Sequence, residues 1–310
     1  MSWPPFARFA TEMGNRLCKP NLFLVGAPRS GTTALYLYLR SHPEVAVGLY
    51  KEPHFFAPDL QDPDFFRDEG AYLELYSHAT TELYVLDGSV WYLYSETAAE
   101  RIHQFDPAAR IVMLLRNPAD MVLSIHAHHV YTGYQELEDF SAAYHSVGRN
   151  VTASFREELP YRRIARYGEQ LSRYLDKFDA DQIHVSLYED LKRDPAGVYG
   201  GLMRFLGLQP GNPPDFRTHN AQRRVRSRRL ARLHWYVQRK NAAAPSPSNA
   251  LVSAVHRARH AGLRVLRFIN TAPTRPSIDP AMRREIIADY RCDILKLSDL
   301  IGRDLSHWLE

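Results

Sequence analysis

Leu22-Phe23-Leu24-Val25-Gly26-Ala27-Pro28-Arg29-Ser30-Gly31-Thr32-Thr33-Ala34-Leu35 is the stretch that decides the fold. An apolar run of strand character feeds a glycine-bounded loop, which opens directly into a helical pattern over 32–41 that stops before Pro43. Backbone N–H groups of such a loop, joined to the unpaired N–H groups and positive dipole end of the next helix, make a phosphate cradle. The glycines are spaced GxxxxG, but Thr32 stands where a nucleoside-triphosphate cradle carries lysine. A cation enters instead at Arg29, two residues before the second glycine, and meets an anion from inside the loop.

A second unit of this kind is Ile111-Val112-Met113-Leu114-Leu115-Arg116-Asn117-Pro118, followed by helical spacing through Ser124. Arg116 offers a planar fork suited to phosphate oxygens, Pro118 suits a first helical turn, and Ser124, eight residues after Arg116, adds a neutral donor. Further strand candidates lie at 84–86 and 183–187, and helix candidates at 96–104, 119–130 and 195–206, the last stopped by Gly207. This alternation predicts an α/β, P-loop-like parallel sheet flanked by helices, with ligands beyond the carboxyl ends of the strands. Asp279-Pro280 starts a long amphipathic pattern to about Leu300, a C-terminal helical extension with Asp279 as N-cap.

Pro28-Arg29-Ser30-Gly31-Thr32-Thr33 resembles the 5′-phosphosulfate loop of sulfotransferases that use 3′-phosphoadenosine 5′-phosphosulfate (PAPS), and Arg116-Asn117-Pro118 with Ser124 resembles their 3′-phosphate signature. Tyr188-Glu189-Asp190-Leu191, before a helix ending Phe205-Leu206-Gly207, is similar to another family element. His219-Asn220-Ala221-Gln222-Arg223 resembles the late segment that closes over the 3′-phosphate, with Arg223 the best match and Arg226 the next. The resemblance implies PAPS as donor, adenosine 3′,5′-bisphosphate as product, and a nucleotide site of Arg29, Ser30, Gly31, Thr32, Thr33, Arg116, Ser124, Tyr188, Arg223 and Arg226. It covers most of residues 20–232 and implies one sulfotransferase domain over 1–310, with 241–276 an insertion or lid and 279–310 packing on the core.

Lys51-Glu52-Pro53-His54-Phe55-Phe56 resembles the Glu-x-His-Phe-Phe segment of heparan sulfate 3-O-sulfotransferases, whose glutamate is the base. The resemblance implies Glu52 as general base, His54 orienting it or the acceptor, and Arg29 as the cation that meets charge on the leaving phosphate. Two departures argue against carrying over glycan specificity: Ala57 replaces an aspartate, and Gly88 falls in the segment where those enzymes place a lysine. Such a scheme requires no metal. His126, His128 and His129 lack the carboxylate of an HExxH arrangement, so packing, cleft lining or a proton-accepting role for His126 stay open. Trp91, Tyr92 and Tyr94 are either core or an acceptor-facing wall.

With 310 residues, 45% hydrophobic and 24% charged, the chain suits one large α/β domain. Residues 1–21 lack signal-peptide order and no run of about 18 apolar residues occurs, which points to a cytoplasmic enzyme without a transmembrane segment. Cys18 and Cys292 are too few and too distant for a disulfide scaffold. The net charge is +4, yet arginines crowd 223–232. A nucleic-acid-binding protein explains that crowding alone, and an ATP-dependent kinase explains the first loop's shape alone. The basic pattern at 251–270 packs on the domain, covers the acceptor cleft or contacts an anionic membrane surface. The expected acceptor is a small molecule, sugar or lipid bearing a hydroxyl or amine.

Overall fold

The computed structural model describes residues 19–132, 134–146, 155, 159–211, 213–216, 223–225, 271–273 and 278–310. Five strands, β1 (Leu22–Gly26), β2 (Val45–Val47), β3 (Tyr84–Asp87), β4 (Arg110–Leu115) and β5 (Ile183–Leu187), pair in parallel in the order β2-β3-β1-β4-β5. Near-continuous apolar runs suit strands covered on both faces. Successive side chains separate accordingly: Phe23, Val25, Ile111 and Met113 enter one core cluster, Leu22, Leu24, Val112 and Leu114 the other.

The nine helices described are α1 (Thr32–Arg40), α2 (Glu69–Glu74), α3 (Ala98–Phe105), α4 (Pro118–Thr132), α5 (Phe140–His145), α6 (Tyr167–Leu175), α7 (Tyr188–Arg193), α8 (Pro195–Leu206) and α9 (Pro280–Ile301). Leu35 and Leu39 of α1 and Leu202 and Leu206 of α8 cover one face of the sheet. Ile102 of α3, Val122 of α4, Leu171 of α6 and Ile294 of α9 cover the other. The chain runs from β1 through α1 to β2 and its neighbour β3, then passes to the opposite side of β1 for β4 and β5. That reversal sets the carboxyl ends of β1 and β4 side by side at a topological switch point, where open parallel sheets bind ligands.

The C-terminal helix is built into this frame. Asp279 accepts the Ala281 N–H at 2.7 Å, and Pro280 takes the first turn. Asp293 of α9 accepts the Gly168 and Glu169 N–H groups, both at 2.9 Å, and so caps α6 from outside. Arg283 Nη1 pairs with Asp120 Oδ1 of α4 at 2.8 Å, and Asn117 Nδ2 donates to the Trp308 carbonyl at 3.3 Å. Two short strands, β6 (Arg223–Val225) and β7 (Thr271–Pro273), form an antiparallel pair, and β6 lies against α4. Arg226, the 251–270 pattern and, apart from 271–273, the expected insertion at 241–276 lie outside the described residues. Among the described residues no helix is long and apolar enough to cross a membrane.

Candidate active site

Each strand of the sheet delivers a polar residue to the same carboxyl edge: Arg29 after β1, Glu52 after β2, Asp87 at the end of β3, Arg116 after β4 and Tyr188 after β5. The loop after β1 turns through left-handed backbone at Arg29 (φ 59°) and Gly31 (φ 91°). Gly31 is needed twice over, because a Cβ there would also lie 3.1 Å from the Tyr188 ring and 3.2 Å from Leu191. As N-cap of α1 it supplies no side-chain acceptor, and α1 has no acidic residue in its first turn. By contrast α2, α5, α8 and α9 are capped by Asp68, Asp139, Asp194 and Asp279. The positive end of α1, beginning with Thr32 and Thr33, is thereby left for an anion.

Arg29 and Arg116 share this corner. Arg29 Nε donates to Ser124 Oγ at 3.4 Å, and Arg116 Nη1 donates to the Arg29 carbonyl at 3.2 Å. The Arg116 guanidinium lies 4.7 Å from the centre of the Tyr188 ring, and its buried Nε has no hydrogen-bond partner. Burial, then the nearby Arg116 charge, lowers the pKa of Arg29, against opposing effects of Glu52 and Tyr188. Two crowded cations and an unpaired buried donor are the signature of a site shaped for an anion. Asn117 Oδ1 accepts the Ala119 N–H at 3.0 Å and so opens α4, while Ser30 is buried with its Oγ donating to the Pro28 carbonyl at 3.4 Å.

The loop after β2 carries the carboxylate. Glu52 (φ 67°) and His54 (φ 52°) are left-handed, and with Arg29 they are the non-glycine residues with positive φ among those described. Such strained backbone persists where surroundings over-determine it, and it clusters at functional sites. Lys51 Nζ forms an ion pair with Glu52 Oε1, and His54 Nε2 lies 3.6 Å from Glu52 Oε2. Burial pushes the Glu52 carboxyl up, but Lys51 and His54 outweigh it and hold the group well below the usual carboxylate range. His54 is wholly enclosed whereas the Glu52 side chain is 35% exposed, so Glu52 is the member of the pair that an acceptor can reach.

Lys51 was not singled out by the sequence, and its partner group explains it. At Gly88 a Cβ would lie 2.7 Å from the Tyr36 ring, so a side chain there requires that ring to shift. Lys51 Nζ instead stands 5.6 Å from the centre of that same ring. A cation thus reaches the base from the adjacent position in the chain, in addition to Arg29. Asp87 also escaped notice, since a single aspartate closing an apolar strand carries no spacing signal.

His126 Nε2 donates to the Leu137 carbonyl at 2.8 Å, and burial lowers the ring's pKa. Among the described residues no three His, Cys, Asp or Glu side chains converge to hold a metal ion. Trp91 and Tyr92 are buried in the core, and Tyr94 is half-buried against it. The backbone of Arg223 opens β6.

A family model described as the sulfotransferase domain matches residues 19–250. The human bifunctional heparan sulfate N-deacetylase/N-sulfotransferase 3 is 27% identical over 206 residues, 62% of this chain and 22% of that protein. The human heparan sulfate glucosamine 3-O-sulfotransferase 6 is 30% identical over 192 residues, 61% of this chain and 53% of that protein. The matched region therefore spans between about a fifth and about half of these curated relatives. Among solved structures, a sulfotransferase from Alicyclobacillus acidocaldarius is 27% identical with a TM-score of 0.71, covering 94% of this chain and 100% of that one.

Proposed function

The chain belongs to the sulfotransferase domain family, and from that premise we propose that it moves a sulfuryl group from PAPS to a hydroxyl or amine of an acceptor. The observation that carries the proposal is the convergence of three charged loops at one carboxyl edge of the sheet: Arg29, Arg116 and Glu52 follow β1, β4 and β2, with Arg116 Nη1 on the Arg29 carbonyl at 3.2 Å and Arg29 Nε on Ser124 Oγ at 3.4 Å. PAPS, when bound, supplies the sulfuryl group and leaves as adenosine 3′,5′-bisphosphate.

The residues present suit that ligand. The first amides of α1, Thr32, Thr33 and the Arg29 guanidinium would hold its 5′ side, and Arg29 would meet the charge that grows on the departing phosphate. Arg116 and Ser124 would hold the 3′-phosphate, with Tyr188 fixing the plane of Arg116. Arg223 and Arg226 are assigned to the same phosphate by their place in the sequence. Glu52 would accept the acceptor's proton, and His54 would orient the carboxylate. A sugar, lipid or small hydroxylated molecule is the proposed acceptor class.

The nucleotide assignment has a direct test. Adenosine 3′,5′-bisphosphate is expected to bind more tightly than 5′-AMP, and Arg116→Ala is expected to abolish that difference. A charge-assisted contact to a buried phosphate contributes roughly 1.5–3 kcal/mol, which is about ten- to a hundredfold in affinity. Titration calorimetry with both nucleotides decides the matter, and equal affinity in the wild type would remove the 3′-phosphate role. Intact-mass screening of hydroxylated acceptors with PAPS tests the transfer itself.

A further inference from the structure

Asp87 closes β3 at the same carboxyl edge and is fully buried, yet nothing in the scheme above uses it. Three hydroxyls converge on its carboxylate. Ser89 Oγ donates to Oδ1 at 2.6 Å, while Tyr72 and Tyr92 each donate to Oδ2 at 2.9 Å. A hydroxyl has one proton to give. Once Ser89 and Tyr92 give theirs to Asp87, each can only accept on its other side. There each receives an amide of the base loop: the His54 N–H donates to Ser89 Oγ at 3.1 Å, and the Phe56 N–H donates to the Tyr92 hydroxyl at 3.3 Å.

We infer that Asp87 is a positioning residue for Glu52, its ionised carboxylate turning Ser89 and Tyr92 into the acceptors that hold the left-handed turn on which the base is carried. The inference rests on the proposed role of Glu52 as base. Backbone strain at Glu52 and His54 requires such an anchor, because two left-handed non-glycine residues do not hold their turn unaided.

Packing alone would favour an uncharged residue at this position. Burial raises the Asp87 carboxyl to about 6, against the pull of the Ser89, Tyr92 and Tyr72 hydroxyls and of Lys51. With the folded-state pKa above the unfolded one, the group adds stability only in acid, and that contribution is lost as pH rises through about 6. Keeping Asp87 ionised at neutral pH therefore opposes folding, as is common for groups retained for function. The groups facing it are Tyr36 from α1, Tyr72 from α2, Tyr76 just beyond α2, Tyr92 after β3, Tyr174 from α6 and Lys51 after β2. Burial holds the protons of all these tyrosines above their ordinary range, and Lys51 and His54 hold Glu52 well below the carboxylate range, so of the acids in this cluster Asp87 is the one that changes charge near pH 6; His54 faces Glu52 from the same loop, and Asp87→Asn separates its titration from that of Asp87. Protonated, Asp87 becomes a donor on one oxygen, and a hydroxyl that must accept from it competes with a loop amide.

The test is single-turnover transfer from PAPS to an alcohol by the full chain, with affinity for adenosine 3′,5′-bisphosphate measured alongside. The variants are Asp87→Asn, Tyr92→Phe, Glu52→Gln and the Asp87→Asn/Glu52→Gln pair. Asp87→Asn is expected to lose up to about a hundredfold in transfer, the scale of a small misplacement of a reacting group, with nucleotide affinity unchanged. Tyr92→Phe, which keeps the ring in the core, is expected to share the direction of the loss and serves if Asp87→Asn does not fold. Wild-type transfer should fall below about pH 6, and Asp87→Asn should lack that limb. On the Glu52→Gln background, Asp87→Asn should cost little more, because both act through one proton acceptor. Fully additive losses, or a parallel loss of nucleotide affinity, overturn the positioning role. Wild-type transfer by Glu52→Gln alone removes the base on which it rests, a result distinct from additivity.

Discussion

Glu52→Gln is expected to lower single-turnover transfer to an alcohol by about 10²–10⁴-fold, the usual size of general-base catalysis, with nucleotide affinity intact. Glutamine keeps the size of the side chain and one acceptor oxygen, so the strained turn at Glu52 and His54 is preserved. What disappears is the proton acceptor and the counter-charge to Lys51. The ion pair is partly exposed, so its loss should affect stability little. Lys51 and His54 hold the Glu52 carboxyl low, which keeps it ionised throughout the neutral range and ready to accept. An acidic phenol, already partly ionised near neutral pH, needs the base less and should be affected far less than the alcohol. Near-wild-type transfer to the alcohol by the variant would remove Glu52 from the mechanism. The alternatives are then poorer, since burial lowers the pKa of His126 and His54 is wholly enclosed.

The parallel sheet was legible because β1 and β4 are apolar runs, the first closed by Gly26 and the second followed by Arg116, and each is followed by a short loop and a helix. The helix expected over 195–206 is α8, Pro195–Leu206, set by Asp194 as N-cap and Gly207 in the left-handed C-cap. β2 was not legible: Val45–Val47 is three residues long, follows a proline turn, and owes its state to pairing with β3. Helix α6 was hidden for a related reason, since its N-terminal amides are satisfied by Asp293, more than a hundred residues away. In the site, Arg29, Arg116 and Glu52 sit in local patterns that carry their own signal. Lys51 matters through Tyr36, and the Asp87 segment through the His54 and Phe56 amides that Ser89 and Tyr92 receive from the loop after β2, contacts that arise only when separate elements align and that local spacing does not encode.

Arg29→Ala is expected to reduce turnover by about 10²–10³-fold, by analogy with loss of a donor to a developing oxyanion, and to reduce nucleotide affinity by much less. The asymmetry follows from where negative charge develops. Burial and Arg116 both oppose the Arg29 charge before any ligand arrives, so that cost is the same with and without nucleotide, and Arg116, Ser124 and the α1 amides remain to hold the nucleotide when Arg29 is removed. As negative charge grows on the departing phosphate, the attraction grows with it, while the burial and the repulsion are already in place. Backbone strain does not confuse the comparison, because arginine and alanine are both L-residues with a Cβ at the same left-handed position. Arg29→Lys separates charge from geometry: it keeps the cation but loses the planar fork that reaches Ser124, so partial recovery of turnover is expected. Wild-type turnover should be unchanged by EDTA, since Arg29, the α1 amides and Lys51 supply positive charge without a bound cation. Activity lost to EDTA and restored by magnesium, with Arg29→Ala nearly as active as wild type, would instead identify a metal-dependent phosphoryl transfer and reassign the loop after β1.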